Sequence, residues 1–213
     1  MIRPYSAAPR PRLVCVDPGS TASGVVVLDL DIPSGPVVWA AKVENVHLVR
    51  DLRNGELSPE LPLNGHLLVV EMMQARGMPF SNDEMRTLVW LGRFIEAWGG
   101  EWREVFRKDV KMHLCGQVKA NDSNIRAALI DRFGGEPVAL ARQTKCPTCK
   151  GAGRFGQGRG SKRTTHDCHV CGMTGKVGTT GPLHSISTDC WSALALGLTY
   201  SETAPLGARE VES

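Results

Sequence analysis

The chain has 213 residues, a formal net charge of +3, 42% hydrophobic residues and 22% charged residues. These values fit a soluble globular protein with one core-bearing domain and a small appendage. No run approaches the roughly 20 apolar residues of a membrane span, and the opening MIRPYSAAPRPR lacks the apolar stretch of a secretory signal.

The first informative stretch is LVCVDPGSTASGVVVL, Leu13 to Leu28. Leu13 to Val16 has the length of a buried strand. Asp17 ends it, and Pro18-Gly19 forces a turn before a second β-branched run starts at Val25. A carboxylate therefore stands at the mouth of a tight strand-turn-strand, among residues small enough for a phosphate to approach. Pro36 to Val46 predicts a third strand, and the short linkers predict an antiparallel meander. A short helix is expected over His47 to Arg53 and a loop over Asn54 to Gly65, which is rich in Pro, Gly and Asn. Leu67 to Val70 reads as a central strand ending in Glu71.

Ser81-Asn-Asp-Glu84 matches a capping box and opens the clearest helix. Met85, Leu88, Val89 and Ile95 form one stripe; Trp90, Leu91, Phe94 and Trp98 widen it beyond a single core face. That width predicts burial between layers or a homodimer contact. Gly99-Gly100 ends the helix. A short strand follows at Trp102 to Phe106, then a helical turn at Arg107 to Leu114. Asn121-Asp122-Ser123 caps another amphipathic helix, and the last helix runs from Ser187 to Tyr200.

Residues 142–180 break all periodicity. They hold eight Lys/Arg and one acid, Asp167, a local net of +7 against −4 for the rest of the chain. They also hold Cys146-Pro-Thr-Cys149 and Cys168-His-Val-Cys171, separated by 18 residues. Two CxxC knuckles at that spacing predict a tetrahedral Cys₄ site for structural Zn²⁺. Cys15, Cys115 and Cys190 are scattered, which suits a reducing compartment such as the cytoplasm rather than a disulfide framework. The first knuckle, CPTCKGAG, resembles the CxxCxGxG repeat of DnaJ-type zinc fingers. The second, CHVCGMTG, departs from it, with Gly172 at the variable position and Met173 at the glycine position. The positive charge between the knuckles, with Arg159, Lys162 and Arg163 at its centre, predicts a flap that contacts nucleic-acid phosphates.

Asp17 and Glu71 at strand ends and Asp189 in the first turn of the last helix are hard oxygen donors. Brought to one point they would bind Mg²⁺ or Mn²⁺, and a pair of such ions can clamp a scissile phosphate. VDPGSTASG, VVEMM and STDCWSALALGL resemble three motifs of the RuvC family of Holliday-junction resolvases, most closely its phage-borne members. The segment FRKDVKMHLCGQVKANDSNIRAALIDRF resembles the family's stretch after the fifth strand. The resemblance covers about Arg12 to Phe133 and His184 to Thr199. It implies an RNase H-like α/β fold, a mixed five-stranded sheet flanked by helices, with the zinc module as an insertion. The domain organisation it implies is a flexible arm at 1–11, a nuclease domain at 12–141 and 181–200, the zinc module at 142–180, and a flexible tail at 201–213.

The resemblance further implies a homodimeric, Mg²⁺-dependent endonuclease that cleaves four-way DNA junctions in a bacterial or phage-infected cytoplasm. In it Asp17, Glu71 and Asp189 hold metal, and Lys111 contacts phosphate. The chain departs from the family at several positions. Ser192 stands where the family has a further Asp, with His184 a candidate replacement. Asp122 stands near the place of the family's second functional Lys, with Lys119 a candidate substitute. Gln74 replaces the aromatic that probes the junction, Phe80 being a more distant candidate. Three other readings compete. A non-catalytic nucleic-acid-binding protein on the same fold would explain the missing Asp. An actin-like ATPase would share DPGST, but the chain is too short for two lobes. A DnaJ-like chaperone fragment would share the knuckles, but there is no J-domain signature.

Overall fold

The computed structural model describes residues 12–32, 36–59, 61–74, 77, 79–157, 164–187 and 189–204. The elements in chain order are β1 (Leu13–Asp17), β2 (Ala22–Leu28), β3 (Val37–Glu44), α1 (Asn45–Asn54), β4 (Glu56–Ser58), β5 (Leu61–Pro62), β6 (Leu67–Met72), α2 (Asn82–Trp98), β7 (Trp102–Phe106), α3 (Arg107–Cys115) and α4 (Asp122–Arg132). Then follow α5 (Glu136–Ala139), β8 (Thr144–Lys145), β9 (Arg154–Gln157), β10 (Thr164–Asp167), β11 (Lys176–Val177) and α6 (Cys190–Thr203). The chain divides into two compact units. One takes in the residues up to Leu129 and those from Ser185 onward; the other spans Ile130–His184. The expected insertion, 142–180, falls inside the second.

In the first unit β1, β2 and β3 form the antiparallel meander, and β6 and β7 join it in parallel, giving the order β3-β2-β1-β6-β7. This mixed five-stranded sheet with flanking helices is the RNase H-like fold. β1, β2 and β6 are nearly continuous apolar runs because both their faces are covered. Val14, Val16, Val25, Val27, Leu68 and Val70 face one way and pack with Leu48, Leu52, Leu91 and Phe94 of α1 and α2. The opposite face receives α6, buried along most of its length. Gly197 makes that approach possible: a Cβ there would overlap the Cys15 Sγ and the Leu28 side chain.

The capping box of α2 forms as its sequence requires. The Ser81 Oγ accepts from the Glu84 N–H at 3.2 Å, and the Glu84 carboxylate accepts from the Ser81 N–H at 2.7 Å. The wide stripe of α2 splits in two. Leu91, Phe94 and Ala97 are buried, whereas Met85 (49%) and Val89 (64%) are exposed. The α4 cap is reciprocal: Asn121 Oδ1 accepts from the Asn124 N–H, and Asn124 Oδ1 from the Asn121 N–H, both at 3.0 Å.

One expected loop is ordered. The stretch between Asn54 and Gly65 holds the β4–β5 hairpin, with Leu61 and Leu63 in the core. Its turn residues concealed an alternation of Leu57, Leu61 and Leu63 that packs under α1 and α2. No helix among the described residues is long and apolar enough to cross a membrane.

In the second unit two short antiparallel ladders, β8 with β11 and β9 with β10, flank the cysteine knuckles. The knuckles repeat each other closely. The Cys146 N–H donates to the Gly175 carbonyl at 2.8 Å, and the Cys168 N–H donates to the Gly153 carbonyl at 2.9 Å.

Candidate metal centres

The DPGS turn that carries Asp17 is fixed by a buried polar network. The Ser23 hydroxyl donates to Asn45 Oδ1 at 2.7 Å and accepts from the Gly19 N–H at 3.3 Å. The Asn45 side-chain amide donates to the Gly19 carbonyl at 2.9 Å. Both Ser23 and Asn45 are buried, so the network has no competing water and holds the turn in one arrangement. Neither residue is marked as a site by its sequence context; only the fold brings β2 and the start of α1 onto the turn.

The sheet register sets out the site as one cross-strand row on the face that receives α6. Asp17 pairs with Gly24, Gly24 with Lys42, and Glu71 with Val105. Val16 pairs with Val70, which puts Asp17 and Glu71 side by side at the ends of the two central strands. Burial is the main cause that pushes the Asp17 carboxyl up to about 7, followed by the neighbouring charge of Glu71; Arg107 and a hydrogen bond from Ser192 act the other way. Burial likewise raises Glu71, and Arg107 is the chief opposing influence. Two adjoining half-buried acids, answered only in part by Arg107, are a donor set that fits a hard divalent cation.

Asp189 enters the row from above, at the N-cap of α6. A Cβ on Gly24 would overlap the Asp189 carbonyl, so the glycine is what lets the start of α6 settle between Asp17 and Lys42. The Asp189 carboxylate pairs with Lys42 Nζ at 2.5 Å. Among the described residues the four cysteines alone bring three or more ligating side chains within 4.8 Å of one another, so Asp17, Glu71 and Asp189 stand further apart than that as a set.

Two residues join the site that motif reading assigned no place in it. Arg107, the first residue of α3, pairs with Glu71 Oε2 at 3.0 Å and with the Asp122 carboxylate at the start of α4. Its side chain is only 18% exposed. Its position directly after the strand neighbouring Glu71 was the available signal. Lys42 was hidden in an edge strand whose register the sequence leaves open. Lys111 lies on α3, and its charge acts on Glu71. Lys119 is exposed between α3 and α4. His184 belongs to the second unit, as an exposed residue. Gln74 is exposed and Phe80 half-buried. Arg107, Asp122, Arg126, Asp189, Trp191 and Ser192 line a cavity of about 340 Å³ beside the row, where the Arg126 guanidinium lies 5.0 Å from the Trp191 ring centroid.

In the second unit Cys146, Cys149, Cys168 and Cys171 are all buried around one point. The Cys146–Cys168 and Cys149–Cys171 Sγ pairs are each 3.7 Å apart. A tetrahedron of Zn–S bonds of about 2.3 Å has an edge of nearly that length, so the four sulfurs fit zinc. The Gly153 and Gly175 N–H groups donate to Cys149 and Cys171 Sγ, both at 3.3 Å. Hydrogen bonds from the Cys149 and Thr148 backbone pull the Cys146 thiol down to about 6, toward the thiolate a metal needs. The departure of the second knuckle from the repeat leaves the backbone unchanged. Lys150 and Gly172 both have φ of 53°, and Gly151 and Met173 both have positive φ, so the glycine has merely exchanged places within an equivalent turn. Arg154 pairs with Asp167, the module's one acid, at 2.8 Å. Arg159, Lys162 and Arg163 lie outside the described residues.

No family model and no curated protein matches the sequence. Among the solved structures that resemble the chain are two at 15% identity. The Thermus thermophilus RuvC structure covers 89% of this chain and 93% of its own, with a TM-score of 0.49. The T. thermophilus RuvC in complex with Holliday junction substrate covers 90% and 93%, with a TM-score of 0.48. By its own strand order the chain is an RNase H-like α/β protein, with RuvC among its structural neighbours and a four-cysteine cluster compatible with a zinc module.

Proposed function

We propose that the protein is a divalent-metal-dependent, structure-selective endonuclease acting on branched DNA, four-way junctions in particular. The observation that carries this reading is the pair of half-buried carboxylates, Asp17 and Glu71, at adjoining ends of the two central parallel strands. Asp17 and Glu71 would hold a Mg²⁺ or Mn²⁺ ion, with Asp189, which pairs with Lys42, as a further candidate ligand. Such an ion lowers the pKa of a bound water and neutralises charge on the phosphate. The chain's own groups position the DNA. Lys111 and Arg107 present positive charge to the strand, and the rigid DPGS turn leaves the backbone room to approach Asp17. The four cysteines would hold a structural Zn²⁺, and the basic flap, including Arg159, Lys162 and Arg163, would contact phosphates without reading bases. Paired cuts across a junction require two sites, and the exposed Met85 and Val89 of α2 are the surface we assign to a homodimer.

A non-catalytic DNA-binding role is favoured by one observation: resident cations already occupy Glu71 and Asp189. One experiment separates the two readings. Purified protein is incubated with Mg²⁺ and labelled junctions, flaps and duplexes, beside Asp17→Asn, which removes a ligand charge without changing shape. Cleavage by the parent that falls by about three orders of magnitude in the variant, or about 4 kcal/mol of barrier, with binding retained, supports the nuclease. Binding without cleavage by either protein supports the silent reading.

A further inference from the structure

Arg107 is unlike an ordinary surface cation. It is mostly buried, and its two terminal nitrogens are divided between carboxylates from different elements, Glu71 at the end of β6 and Asp122 at the start of α4. Asp17 also faces it electrostatically. Across the row, the exposed Lys42 pairs with Asp189 alone. Four carboxylates and the two cations that answer them leave a net charge of −2, which one divalent ion neutralises; Lys111 acts on Glu71 from further away. A second ion would need an open pair of carboxylates. The pair on the β7 side, Glu71 and Asp122, is bridged by the guanidinium.

We propose that Arg107 is a built-in cation that closes the Glu71–Asp122 pair to a second metal, so that the site takes a single divalent ion seated against Asp17 and Glu71. This rests on the metal-dependent reading above and narrows it. A guanidinium matches paired carboxylates geometrically and stays charged at any physiological pH. Arg107 is in this sense an electrostatic positioning residue, and the count of bound ions is its signature.

The test is Mn²⁺ titrated into the millimolar range against the full chain in its zinc-loaded form, without DNA. Bound ions are counted by electron paramagnetic resonance and calorimetry. The expected result is one Mn²⁺ per chain for the parent and for Arg107→Lys, which keeps the charge. Arg107→Met and Arg107→Gln are expected to bind two, and melting curves report whether each variant is folded. Two ions on the parent overturn the proposal without need of any variant. So does a single ion on a folded Arg107→Met or Arg107→Gln. Asp17→Asn separates this from the broader reading: a parent Mn²⁺ site unaffected by that change means the acids are no metal centre at all, whatever the count.

Discussion

In the cysteine module, each half of the candidate site comes from one short stretch, 146–153 or 168–175, in which ligands, left-handed turn and N–H donors to sulfur are all local. In the acid row, every member comes from a different element: Asp17 from β1, Glu71 from β6, Lys42 from β3, Arg107 from α3, Asp122 from α4 and Asp189 from the start of α6. The first site is written in spacing. The second is written in strand register, and it rests on a core that forms without it. The difference teaches where each should fail. The knuckles should collapse on losing one ligand, whereas the acid row should tolerate loss of an acid and respond to small shifts of backbone.

The sharpest break should come from Cys149→Ser. Structural zinc contributes on the order of 10 kcal/mol to folding of small modules. The variant should lose zinc and the protection of residues 144–157 and 164–177 against hydrogen exchange, while β1, β2 and β6 stay protected. Elemental analysis with exchange mass spectrometry checks both halves, and normal zinc content would undo the Cys₄ assignment.

A smaller effect is expected from pH. In the folded protein without divalent ion Asp17 holds its proton up to about 7, above the ordinary carboxylate range, because of burial and Glu71. The folded state therefore binds more protons than the unfolded state between these values. The resulting stability is fully present below about pH 4 and is lost as pH rises through 7, an effect on the order of 2 kcal/mol once solvent access is allowed for. Denaturant midpoints of the zinc-loaded protein should fall across that window. Added Mg²⁺ should offset the fall, and Asp17→Asn should flatten it.

Gly197→Ala should cost about 1–3 kcal/mol, because the added methyl meets Cys15 and Leu28 in a filled core. Gly24→Ala should cost a similar amount of stability but weaken Mn²⁺ binding as well, since it displaces Asp189 rather than core packing. Equal Mn²⁺ affinity in the two variants would show that the approach of α6 has no bearing on the site.

The subtlest prediction concerns the flap. Neutralising Arg159, Lys162 and Arg163 together should weaken junction binding across all sequences. It should also reduce the slope of log affinity against log salt, by about 0.9 for each phosphate that the flap no longer neutralises. The cleavage rate at saturating DNA should change less. Unchanged affinity and slope would move the DNA surface to Lys111 and Lys119.

Much of this architecture is legible in residue order, because the physics behind it is local. A four-residue β-rich apolar run closed by Asp-Pro-Gly reads as a strand ending in a turn, and β1 is that strand. Ser-Asn-Asp-Glu caps a helix wherever it occurs. CxxC knuckles with trailing glycines specify their own geometry, so closely that Gly172 and Met173 exchange roles without altering the turn. The β4–β5 hairpin was illegible because its turn residues outnumber the leucines that bury it.

Asp17, Glu71 and Asp189 are visible in the sequence as carboxylates at the ends of elements, but not their charge environment. That Lys42 stands two strands from Asp17 depends on the register of β2 against β3, and that Arg107 bridges Glu71 and Asp122 depends on how α3 and α4 leave β7. Ion pairs between distant segments follow from packing the whole sheet, for which no local spacing rule exists. The sequence by itself marked the five strands of the sheet, its longer helices, the cysteine spacing and three acids at element ends; only the tertiary structure decided which cations answer those acids.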